Sequence, residues 1–95
     1  DSQIDYEWER IPHFYTPFYV YQYATGFSAA VAISSRILKG EPGALEGYKN
    51  FLKGGCSAKP VDLLKRAGVD MERPEPVEEA LRLFEELLEE FASCL

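Results

Sequence analysis

His13 is the only histidine in this chain, and Tyr15, Tyr19, Tyr21 and Tyr23 follow it inside one run, IPHFYTPFYVYQYATGFSAA, that contains no acidic residue. Imidazole N–H and phenol O–H groups donate hydrogen bonds to developing negative charge without being charged themselves. Such a run is compatible with a surface that holds an oxyanion. A structural reading competes with it. A lone histidine beside Pro12 serves equally well as a capping or hydrogen-bonding residue at a helix entry, and for clustered tyrosines core packing is the commoner role. Other chemistries find no support. One histidine and two distant cysteines, Cys56 and Cys94, build no zinc site, and the chain has no HExxH, CxxC, Asp-rich calcium loop, Gly-rich phosphate loop or nucleophile elbow. No residue is therefore assigned as a metal ligand.

Ninety-five residues with 46% hydrophobic and 27% charged content make one soluble domain or less, with a modest core. A formal charge of -6 argues against a nucleic-acid partner, because phosphate binding needs clustered Lys and Arg. The surplus sits in the C-terminal part, where residues 54–95 carry ten acidic and five basic side chains. No apolar run approaches the roughly 20 residues of a membrane span, and the opening DSQIDYEWER is unlike a signal peptide. No membrane partner is expected. The two cysteines read as free thiols in a reducing compartment, so the expected location is cytoplasmic.

The elements that must position the donors read as helices. Val77, Ala80, Leu81, Phe84, Leu87, Leu88 and Phe91 recur at steps of three and four, with glutamates filling most other positions. This is an amphipathic helix, opened by Pro76, whose apolar stripe must be buried against something. Pro60 opens a shorter helix that Gly68 caps, and Leu45, Tyr48, Phe51 and Leu52 mark another between glycine-containing breaks at 40–43 and 54–55. The aromatic run is ambiguous. Tyr19, Tyr21 and Tyr23 alternate as in a strand, whereas Tyr15, Tyr19, Tyr23, Phe27, Ala30, Val31, Ser34 and Leu38 follow a helical register. Length decides for one long helix from about Pro17 to Lys39, buried on several sides. Its Ala24, Gly26, Ser28, Ala29, Ala30 and Ala32 admit close neighbours. The expected fold class is all-α: a small helical subdomain over residues 1–95, with one long central helix and three to four shorter ones, including a short N-terminal helix.

The segments IPHFYTPFYVYQYATGFSAAVAISSRIL, ALEGYKNFLKGG, PVDLLKRAGVDM and PEPVEEALRLFEELLEE, in this order, resemble the C-terminal region of oligoendopeptidase F, a branch of the thimet oligopeptidase-like zinc metallopeptidases. The resemblance covers essentially the whole chain. It implies a large, almost wholly helical parent that hydrolyses short peptides in a deep cleft, with zinc held by the histidines of an HExxH motif and a downstream glutamate. Those elements are missing here, so the implied cofactor is zinc in the parent, with none expected in this fragment, and the fragment alone is expected to be inactive. The resemblance also implies roles. His13 matches a histidine that hydrogen-bonds the tetrahedral intermediate, Tyr21 is the preferred match for the tyrosine nearest the scissile carbonyl, and Tyr15 and Tyr19 are candidates for binding the oligopeptide substrate.

A second expectation comes from another class: a self-standing helical module that uses the aromatic stretch for protein interaction or dimerisation. A start at Asp1 rather than methionine favours a fragment. Either reading allows the isolated chain to self-associate through an exposed apolar face.

Overall fold

The computed structural model describes residues 2–95, and the described residues are helical with no strand. The expected all-α class is observed. Two 3-10 helices, Ser2–Arg10 and Pro12–Tyr15, lead into α1 (Tyr21–Leu38), α2 (Ala44–Gly54), α3 (Pro60–Arg66) and α4 (Glu75–Ser93). The short N-terminal helix is thus a 3-10 pair, broken where Pro12 starts the second member.

The long helix begins later than its periodicity predicts. Phe18 has φ 63°, a left-handed conformation that a helix cannot carry, and residues 16–20 turn instead. Amides of Tyr19, Tyr21, Gln22 and Tyr23 donate to carbonyls three residues back at 3.2–3.3 Å, so the chain winds through tight turns before α1 settles. Pro17 therefore lies in the turn rather than in the first helical turn.

The C-terminal ends of α1 and α3 share one device. Beyond Leu38, the Gly40 amide donates to the Ile37 carbonyl and the Glu41 amide to the Arg36 carbonyl; beyond Arg66, Gly68 donates to Lys65 and Val69 to Leu64. Both are Schellman caps, with Gly40 at φ 71° and Gly68 at φ 85° supplying the left-handed residue. The second cap sends Val69 straight into the core, where it is completely buried.

That core is small. Ala29, Ala32, Ile33, Ala67 and Val69 form it, with Ile37, Tyr48, Phe51, Leu64 and Met71 packed around them. α1 is the hub, touching both α2 and α4, while α3 packs on α2. Of the small residues expected to admit neighbours, Ser28, Ala29 and Ala32 are buried, whereas Ala24, Gly26 and Ala30 are exposed. Burial of α1 on several sides is not observed. Its buried residues run only from Ser28 to Ile33, and Tyr21, Tyr23 and Phe27 stand more than 60% exposed.

α4 also departs from expectation. It has 19 residues to the 18 of α1, so the molecule has two long helices, packed on each other. It buries Pro76 but leaves its apolar stripe outside, with Leu81, Phe84, Leu87, Leu88 and Phe91 all more than half exposed. The radius of gyration, 17.1 Å, exceeds the roughly 12 Å of a compact domain of this length. The elements form a layer rather than a ball, 52 × 39 × 20 Å.

Candidate functional site: an aromatic donor wall

The site is built where the 3-10 segments meet the start of α1. Tyr15, the last residue of the second 3-10 helix, donates its hydroxyl to the backbone carbonyl of Glu9. This bond ties the two 3-10 segments together and fixes the entry to the turn that carries Thr16 to Val20. The turn swings Tyr19 back over the imidazole of His13: the rings stack with centroids 5.0 Å apart and planes 27° from parallel. Tyr23, one helical turn on, meets Tyr19 edge to face at 6.0 Å, and the two hydroxyls lie 3.5 Å apart, where either can donate to the other.

His13, Tyr19 and Tyr23 are therefore one continuous group. Tyr21 lies two residues from Tyr23 in α1, about 200° around the helix, on its other side. It is 62% exposed, and its carbonyl accepts from the Thr25 hydroxyl at 3.0 Å. Tyr15, with its proton committed to Glu9, holds the backbone in place. Of the expected site residues the structure brings His13 and Tyr19 together, sets Tyr15 behind them, and places Tyr21 apart. Tyr23 was not singled out. The signal that finds it is the four-residue step from Tyr19, the spacing of one face of a helix.

The group is electrostatically mild. The Tyr23 hydroxyl is held above the usual phenol range by its hydrogen bond with Tyr19, then by repulsion from a Tyr19 phenolate and by slight burial. Tyr23 thus keeps its proton well past neutral pH. The wall is also open: Tyr23 and Phe14 are more than half exposed, and Phe18 is 86% exposed. A groove of about 350 Å³ lies elsewhere, between the C-terminal half of α1 and α4. Its polar groups face one another, with Arg36 beside Glu79 at 3.9 Å and also donating to the Gly68 carbonyl. That groove holds no aromatic donor.

Among the described residues no group of three or more His, Cys, Asp or Glu side chains comes together as a metal site. The described residues thus do not gather the three protein ligands around an open position that a catalytic zinc needs. Cys56 and Cys94 are free and exposed. No described helix is long and apolar enough to cross a membrane.

Comparison with known proteins adds what geometry alone does not. The model of peptidase family M3 matches residues 2–83. The chain belongs to peptidase family M3. It is 57% identical over 95 residues to the oligopeptidase PepF of Bacillus subtilis, covering 100% of this chain and 14% of the relative. It is 51% identical over 92 residues to the group B oligopeptidase PepB of Streptococcus agalactiae, covering 97% of this chain and 15% of the relative. Identity to the chromosomal oligoendopeptidase F of Lactococcus lactis subsp. cremoris is 48% over 90 residues, covering 95% of this chain and 15% of that protein. The chain thus spans about one seventh of the length of the curated relatives it matches. No solved structure matches it.

Proposed function

We propose that this family M3 chain is the C-terminal helical part, residues 1–95, of a cytoplasmic oligoendopeptidase F-like zinc endopeptidase, and that it supplies the donor wall against which an oligopeptide is cleaved. The observation that carries this reading is the convergence of His13, Tyr19 and Tyr23, which belong to a run, residues 11–30, without an acidic side chain. The C-terminal placement rests on the order of the four resembling segments. The zinc that the resemblance implies is held by residues outside this chain, where it supplies a Lewis acid and an activated water.

The chain's own residues do the rest. A peptide carbonyl under attack develops an alkoxide, and a neutral N–H or O–H donor aimed at it stabilises the transition state more than the ground state. His13 and the tyrosines can donate in this way. The Tyr19 hydroxyl meets that of Tyr23, so a proton on Tyr23 or Tyr19 can be directed outward at the substrate while the partner oxygen accepts. Tyr19 also braces the imidazole by stacking. Tyr15 orders the segment that binds substrate. Tyr21 is the second candidate for the carbonyl donor, approaching from its own side of α1.

The test is steady-state kinetics of the polypeptide expressed from its gene. His13→Ala should lower kcat about 100-fold, the loss expected for one oxyanion donor, with zinc content unchanged. Tyr23→Phe and Tyr21→Phe, measured side by side, identify which tyrosine reaches the carbonyl: only the donor should fall about 100-fold. Near-normal turnover in all three would overturn the reading. The 95-residue chain alone should hydrolyse no peptide.

One observation favours a second reading, an interaction module. Large apolar side chains are exposed on both α1 and α4, and contiguous surfaces of that kind serve association.

A further inference from the structure

α4 contains a second pattern that the fold leaves unused. Val77, Leu81, Phe84, Leu88 and Phe91 follow one another at steps of four, three, four and three, which is the a and d spacing of a coiled-coil seam. All five are exposed, Val77 least at 38% and Phe84 most at 65%. The helix meets α1 with other residues: Pro76 is buried, Glu79 faces Arg36, and Leu83 and Glu86 line the groove beside Val31 and Ser35. At 100° per residue, Leu83 and Glu86 lie roughly 100–160° around the helix from Leu81, Phe84 and Leu88. The seam therefore faces away from the residues with which α4 lines the groove beside α1.

Charge selects what can cover it. Glu78 and Glu85 flank the seam on one side and Ala80 and Leu87 on the other. α4 as a whole carries seven glutamates and a single Arg82. Flanking charges set partner choice in paired helices. Antiparallel pairing of two copies would face Glu78 and Glu85 against the same residues of the second copy, and parallel pairing would offer them only alanine and leucine. Neither arrangement supplies a cation. A helix with Lys or Arg beside its own apolar seam supplies one at each flanking position.

We propose that the α4 seam docks an amphipathic, basic-flanked helix belonging to the same polypeptide and lying outside these 95 residues. The inference rests on the reading of the chain as part of a longer family M3 peptidase. Its relatives have about six sevenths of their length outside the matched segment, and a tethered helix reaches the seam at high effective concentration.

Photo-crosslinking tests this. Phe84→p-benzoylphenylalanine keeps an aromatic group at an exposed position remote from the donor wall. The polypeptide expressed from its gene is prepared as an equal mixture of light and heavy isotope forms, irradiated, and mapped by mass spectrometry. The expected adduct joins position 84 to an apolar residue of a distant helix that has Lys or Arg at flanking heptad positions, within one isotope form. Adducts joining light to heavy copies would overturn the proposal in favour of self-pairing. Adducts to an acid-flanked or non-helical segment, absence of any adduct, or a gene that ends with these 95 residues would overturn it as well. The donor-wall variants separate the two ideas: if they turn over normally while the expected adduct forms, the functional reading fails and the docking stands.

Discussion

The two halves of α1 obey opposite rules. Between Ser28 and Ile33 the helix buries Ser28, Ala29, Ala32 and Ile33, with Ala32 fully enclosed, and α4 and α2 pack on the helix. From Tyr21 to Phe27 it exposes its largest side chains, with Tyr21, Tyr23 and Phe27 more than 60% open. In a domain complete in itself the distribution would be reversed, since Phe burial contributes far more than Ala burial. The difference teaches that the C-terminal half is a packing device and the N-terminal half a surface held out for something else. The core is sized to fix helices close together, and the aromatic groups are the cargo it positions.

The sharpest way to break the comparison is to ask whether the open half stays open in a longer polypeptide. In the 95-residue chain Phe27→Ala removes no buried contact, so urea unfolding should shift by no more than about 0.5 kcal/mol. If the remainder of a family M3 peptidase covers this face, the same substitution there should cost about 3–5 kcal/mol, the usual loss for a buried Phe. Equal small effects in both settings would mean that Phe27 is solvated throughout. Next in size is the loss of one donor, about 100-fold in kcat or about 2.7 kcal/mol for His13→Ala. A variant that keeps full turnover would reduce the wall to a packing feature.

The packed half gives a smaller and opposite signature. Ala32→Leu inserts three carbons where the side chain has no exposed surface, and should cost about 1–3 kcal/mol through displaced neighbours. Ser34→Ala, two residues on and exposed, should be within about 0.5 kcal/mol by the same unfolding measurement. If Ala32→Leu were silent, the close approach of the helices would not be what orders α1.

Much of this contrast was legible in the sequence, for reasons that can be named. Proline openings and glycine ends placed α2 and α3 well, because Pro60, Gly40 and Gly68 act through local backbone geometry that neighbours cannot override. The small-residue segment of α1 was legible in part: Ser28, Ala29 and Ala32 meet neighbours, while Ala24, Gly26 and Ala30, equally small, face outward. Two features were not. The start of α1 depends on one left-handed residue, Phe18, and phenylalanine carries no signature of that conformation. The stripe of α4 reads as a buried face from periodicity alone, yet periodicity says only that a partner face exists, not that it lies within these residues. At the site, His13 and the tyrosines stood out by type, but their grouping did not. Tyr19 joins His13 only because the turn after Pro17 folds back, and Tyr23 joins Tyr19 only through helical spacing.

The smallest predicted effect concerns that junction. The hydrogen bond from Tyr19 and repulsion from its phenolate raise the Tyr23 hydroxyl above the ordinary value of 10.0. A group whose proton is held more tightly in the folded state adds stability below its unfolded pKa, and that contribution is lost as pH rises through the raised folded value. The window is therefore alkaline, above about pH 10, and around neutral pH the contribution of Tyr23 is fully present and does not vary with pH. Ultraviolet titration of phenolate formation reads this directly. Tyr19→Phe should move one of the remaining five tyrosines to lower pH, because Tyr23 loses both the bond and the repulsion. Tyr23→Phe should delete the highest-titrating component instead. Superimposable curves for the two variants would mean the hydroxyls do not meet, and the link from His13 through Tyr19 to Tyr23 would then end at its middle member. A curve that differs as expected ties the open half of α1 to the imidazole across the turn, and makes Phe18 the residue that joins them. Its left-handed backbone lies in the turn that carries Tyr19 over a histidine six residues earlier.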